Sequence, residues 1–161
     1  MNILLAVDGS AYTKKMLAYL ATHDEFLGPS HSYSVITVQA ALPPRARAAV
    51  GKEVVDQYYA DEGDKVMNPV CKFLERHGVT PKRILKVGAV GETIGKVADT
   101  GKFDLLVMGS HGHGALATLV MGSVTTQVLA HSKVPVLIVR LTHTRSHSTA
   151  LLRAGLFFAR N

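Results

Sequence analysis

The chain has 161 residues, 47% apolar and 19% charged, which excludes a disordered segment and suits one domain with a core large enough to need neither metals nor disulfides. Half of its net charge of +6 comes from Arg145, Arg153 and Arg160 in the acid-free stretch 141–161, so no basic, aromatic-interleaved patch marks a nucleic-acid surface. A single cysteine, Cys71, excludes a disulfide framework within the chain and leads us to expect a cytoplasmic protein, while no apolar run approaches the roughly 18 residues of a membrane span.

"NILLAVD" (2–8) is a short continuous apolar run ending in a carboxylate, the pattern of a strand buried on both faces. It has no basic flank and meets Asp8 early, so it reads as a first strand and not as a leader. After Gly9-Ser10, the residues Tyr12, Met16, Leu17, Leu20 and Ala21 recur at helical spacing. "YSVITVQA" (33–40) is β-branched and aromatic, a second strand. Pro43-Pro44 and "RARAAVG" predict a loop over 43–51. From Lys52 to His77 the apolar residues fall at three- and four-residue steps, a long amphipathic helix that Gly63 and Pro69 can bend and Gly78 closes. Cys71 lies on its apolar face, as a small buried residue would.

"RILKVG" (83–88) is a third strand, "GETIGKVADTGK" a short helix and "FDLLVMG" (103–109) a fourth strand. A glycine-rich stretch follows, then a helical stripe through Val124, Val128 and Leu129, then a fifth strand, "VPVLIVR" (134–140). Strand and helix alternating with short connections predict an α/β domain with a parallel sheet and helices on both faces. In such sheets ligands bind beyond the carboxyl ends of the strands, where the strand order reverses. Asp8, Gly9, Val38, Gly109 and the glycine-rich loop all belong to that edge.

The stretch "VMGSHGHGALATLVMGSV" (107–124) is the main candidate site. A helix N-terminus offers unpaired N–H groups to an anion, and glycines let backbone approach it closely. The stretch therefore reads either as a phosphate cradle or as a flexible turn ending in a Ser123 helix cap. It lacks the lysine of a Walker loop and the spacing of a dinucleotide fingerprint. His111 and His113 have no carboxylate or thiolate nearby in sequence, so metal ligation is not favoured. Nor is a Gly-x-Ser-x-Gly elbow present. Asp8 is either an acceptor for a base or ribose, or a cap of the helix that Ser10 also suits.

Gly109-x-x-Gly112, then nine residues, Gly122-Ser123 and "VTTQVLAHSKVPVLIV" together resemble the nucleotide-binding signature of the universal stress protein family. "ILLAVDGS" and the helix after it resemble that family's start, so the likeness runs over 2–140. It implies a Rossmann-like fold of the adenine-nucleotide α-hydrolase type, a five-stranded parallel sheet in the order 3-2-1-4-5 with two helices on each face. It implies an ATP, ADP or AMP ligand, with or without Mg²⁺, in the switch-point cleft. Carried over by position, Asp8, with Gly9 and Ser10 beside it, meets the base or ribose and the Val38 backbone the adenine. Met108 and Gly109 line the ribose side, and Gly112, Gly122, Ser123, Val124 and Thr125 cradle the phosphates. His111 stands where a basic residue is frequent, which makes its phosphate contact weaker or pH-dependent.

The resemblance also implies a homodimer through antiparallel pairing of the last strand, Val134 to Arg140. The domain is expected over 1–140, with 141–161 an extension that docks as a helix or is disordered; packed beside the last strand, it would change the dimer. The function this implies is a nucleotide-dependent regulator whose ligand orders the 109–122 and 43–51 loops. A slow ATPase or phosphotransferase, and a dimeric or chaperone-like module with structural or no nucleotide, are the alternatives. Gly122→Val is expected to block the phosphates and spare the fold.

Overall fold

The computed structural model describes residues 1–113, 121–141 and 152–157. Its elements in chain order are β1 (Asn2–Ala6), α1 (Ala11–Ala21), β2 (Ser32–Gln39), α2 (Pro44–Val50), α3 (Lys52–Arg76), β3 (Lys82–Val87), α4 (Val90–Thr100), β4 (Leu105–Gly109), α5 (Ser123–His131), β5 (Val136–Leu141) and β6 (Leu152–Phe157). The first five strands run parallel in the order β3-β2-β1-β4-β5, and the sheet ends on β6.

Alternation along the strands splits the core in two. Ile3, Leu5, Val35, Leu105 and Val107 face one side, where α1 supplies Met16 and Leu20, and α3 supplies Met67, Val70 and Leu74. Leu4, Ala6, Ile36, Leu106 and Met108 face the other side, covered by Ile94 and Ala98 of α4 and Val128 of α5. Each fully buried aliphatic side chain contributes about 1.5–3 kcal/mol to such a core. Because β1 and β4 are buried on both faces, they read as continuous apolar runs. Cys71 belongs to the first core, and burial pushes its thiol pKa up, as suits a packing residue.

Two expectations need correction. Residues 44–50 form the helix α2, not a loop. Pro44 occupies its first turn, where a missing N–H costs nothing, and "RARAAV" is rich in strong helix formers. None of its residues is buried. In the extension, Leu152–Phe157 is a strand, not a docked helix, pairing antiparallel with β5 from Val136↔Phe157 to Leu141↔Leu152. An edge strand presents a row of unpaired N–H and C=O groups, and a returning segment satisfies them at once. The β5 edge assigned to a dimer partner is therefore occupied from within the chain. The other residues of the extension lie outside the described part.

Long-range ties hold the cleft end of the sheet. Gly9 turns the chain with φ +75°, packing against Val66 of α3. Gly63 lets α3 approach β3, since a Cβ there would stand 2.9 Å from Leu85 Cδ1.

Candidate functional site

The strand order reverses between β1 and β4. Beyond their carboxyl ends lies a cleft of about 260 Å³. One side is apolar, made by Ala6, Val38, Met108 and, from the start of α4, Val90 and Ile94. The other is polar and carries Asp8, His111, Gly112, His113, Gly122, Ser123, Val124 and Thr125.

Asp8 is held by its own turn. Its Oδ1 accepts from the Ser10 N–H at 2.9 Å and from Thr13 Oγ1 at 2.8 Å. Its other oxygen faces Gly112, where a Cβ would meet Oδ2 at 2.4 Å. The cap of α1 is Ser10, whose side chain accepts from the Tyr12 and Thr13 N–H groups. Asp8 is thus not the cap, and one carboxylate oxygen stays directed at the glycine loop. Gly9 and Ser10 support this turn without lining the cleft, and Thr13 lines it in their stead.

The far wall is the start of α5. The loop's two ends are pinned together, because the Ser110 carbonyl accepts from the Gly122 N–H at 2.8 Å and from Thr125 Oγ1 at 3.3 Å. The Thr125 hydroxyl also reaches the Gly109 carbonyl at 3.3 Å, so that hydroxyl ties helix to strand and is committed. The N-cap is Gly122, not Ser123, and no side chain caps the helix. The N–H groups of a helix's first turn lack intrahelical acceptors, so Ser123, Val124 and Thr125 present backbone donors at the cleft. Ser123 is exposed, its hydroxyl free of the capping duty expected of it.

Gly122 has a tighter role than expected. A Cβ there would lie 3.2 Å from both His111 Cα and the Ser110 carbonyl oxygen. A valine would push on the loop backbone, so Gly122→Val does not cleanly separate binding from local structure. Gly109 is closer still to α1, with Tyr12 Cβ 2.8 Å from its missing Cβ.

His113 reaches across the cleft mouth, its Nε2 2.8 Å from the Asp8 carbonyl oxygen. His111 Nδ1 is 3.0 Å from Ser110 Oγ, and its ring lies 5.2 Å from that of Tyr12. His113, Val90 and Ile94 were not among the residues assigned to the site from sequence. The helical stripe of α4 marks Ile94 as inward, but nothing local places it at the cleft. Among the described residues, no three His, Cys, Asp or Glu side chains gather as a metal site.

The sequence and the fold that carries this cleft have counterparts among known proteins. The sequence profile of the universal stress protein family matches residues 1–140. The chain belongs to that family. Universal stress protein Slr1230 of Synechocystis is 33% identical over 139 residues, which are 86% of this chain and 42% of that protein. Universal stress protein MJ0577 of Methanocaldococcus jannaschii is 39% identical over 80 residues, 50% of this chain and 49% of the relative. The match thus spans less than half the length of each of these two relatives.

Among solved structures, that of MJ0577 superposes with a TM-score of 0.72 at 27% identity, covering 89% of this chain and 97% of that one. A universal stress protein from Arabidopsis thaliana with AMP bound has a TM-score of 0.63 at 15% identity, covering 89% and 93% of the two chains. Another, in complex with cAMP, has a TM-score of 0.56 at 24% identity, covering 86% and 95%. The last two speak for the fold alone. No helix among the described residues is long and apolar enough to cross a membrane.

Proposed function

We propose that this universal stress protein binds an adenine nucleotide, ATP or its ADP and AMP relatives, and acts as a cytoplasmic regulator whose bound nucleotide alters a surface that partners read. The observation that carries this reading is the pairing, in one cleft, of an apolar wall with the uncapped start of α5. A purine needs apolar area, and a phosphate needs convergent N–H donors at a positive helix end. Val38, Val90, Ile94 and Met108 suit the base, and Asp8 Oδ2 is the acceptor for a ribose hydroxyl. Gly112, Gly122 and the N–H groups of Ser123, Val124 and Thr125 suit the phosphates. Two solved proteins of this fold carry AMP and cAMP, which makes an adenine nucleotide the first ligand class to test. Mg²⁺ would come with the phosphates, since Asp8 is the lone carboxylate of the described lining and one of its oxygens is engaged.

The test is to purify the chain, denature it, identify any released nucleotide, and titrate the refolded, nucleotide-free protein with ATP. Release of an adenine nucleotide, or saturable ATP binding, is the expected result. Neither release nor binding would overturn the reading. Following the added ATP with time separates a regulator, which leaves it intact, from a slow ATPase.

A further inference from the structure

The polar end of the cleft is short of fixed positive charge. Its described lining holds Asp8, His111 and His113 and no Lys or Arg. The loop residues 114–120, "GALATLV", bring no cationic side chain either. Yet any nucleotide phosphate placed at the start of α5 is anionic, and Asp8 adds a carboxylate to the same cleft. Among the side chains of the described lining, the two imidazoles are the ones able to add positive charge.

Their geometry specifies how. The Asp8 carbonyl can only accept, so His113 Nε2 carries the hydrogen of their 2.8 Å contact, and Nδ1 is the atom that gains a proton when the ring becomes a cation. His111 Cδ2 lies 3.7 Å from the Cβ position of Gly122, which sets its ring at the N-cap of α5. A helix N-terminus disfavours a cation until an anion arrives. Among the charged and titratable groups around the pair, β1 leads into Asp8, and α1 carries Tyr12 with Lys15 Nζ 5.2 Å from its ring. β4, α4 and α5 supply no charged side chain to the described lining.

We propose that His111 and His113 are the charge-selecting residues of the cleft, taking up protons as a phosphorylated adenine nucleotide binds, so that affinity rises as pH falls. The proposal rests on the nucleotide reading above. The added affinity is present where the bound imidazoles carry the proton and is lost as pH rises. A nucleoside without phosphate draws no proton and shows no such slope.

Calorimetric titration of the full chain at about pH 6 and about pH 8, spanning the imidazole range, tests this. The ligands are ATP in excess Mg²⁺, which keeps the terminal phosphate deprotonated, and adenosine. The Kd for Mg-ATP is expected to fall severalfold from the higher to the lower pH. Adenosine affinity is expected to stay level. The double substitution His111→Gln, His113→Gln should flatten the Mg-ATP profile, and His113→Lys should bind tightly at the higher pH. A level Mg-ATP profile with binding intact overturns this proposal and leaves the nucleotide reading standing. An unchanged slope in the double variant overturns the assignment to these residues. Binding of neither ligand at either pH overturns the nucleotide reading and this proposal together.

Discussion

Asp8 shows what a single residue does here. Its position after an apolar run marks the end of a strand, but both a cap and a ligand contact fit that pattern. The contest is settled by Ser10, which takes the cap and leaves Asp8 Oδ2 facing Gly112. Gly112 is therefore small because of a carboxylate more than a hundred positions away. Gly112→Ala would place Cβ 2.4 Å from Asp8 Oδ2, so the carboxylate or the loop must move. Loss of one of the Oδ1 hydrogen bonds would cost about 1–3 kcal/mol. We expect ATP affinity to drop at least about tenfold, measured by titration, with a stability loss within that range by urea unfolding. Thr125→Val tests the opposite assignment. Its hydroxyl binds the Gly109 and Ser110 carbonyls and the residue is buried, so stability should fall by about 1–2 kcal/mol. Binding should fall only as far as the loop ends loosen, because the proposed phosphate donor at this position is its N–H.

At the scale of elements, periodicity located every strand of the parallel sheet and the helices α1, α3, α4 and α5 to within a few residues. The central strands are buried on both faces and the helices on one, and burial leaves continuous apolar runs in the former and a 3.6 period in the latter. α2 left no such trace because it buries no face. Pro43-Pro44 and the arginines and alanines of 45–49 look like a loop unless the helix propensity of alanine and arginine is weighed. A helix with no buried residue opens at little cost. Limited trypsin digestion should therefore cut first at Arg45 or Arg47, before any site in α3 or α4. Cutting first at Lys72 or Arg76 would show that α3 is the weaker element. The uncapped start of α5 is likewise an element property: Ser123 looked like the cap, and the chain begins the helix one residue earlier at Gly122.

For the whole molecule, the closing of the sheet by β6 has consequences for assembly. The edge of β5 that would pair with a second copy pairs with Leu152–Phe157 of the same chain. Truncation after Leu141 would leave the β5 edge open, and such an edge recruits another strand. We expect the truncated chain to self-associate more strongly than the full chain in sedimentation velocity at equal concentration. Equal association states would show that β6 does not govern this edge. The sequence by itself determined the α/β class, the alternation of elements, the family and the glycine loop, because each leaves a local mark in periodicity or spacing. Only the tertiary structure decided which atoms face one another. His113 was set aside as a metal ligand for want of a carboxylate nearby in sequence, and its bond is to the Asp8 backbone carbonyl, 105 positions away, brought close because β1 and β4 are neighbours in the sheet. Val90 and Ile94 joined the cleft for the same reason, since α4 returns over β2 and begins beside the ends of the central strands. A parallel sheet gathers the carboxyl ends of distant strands at one edge, and no local pattern in the sequence records which side chains then meet.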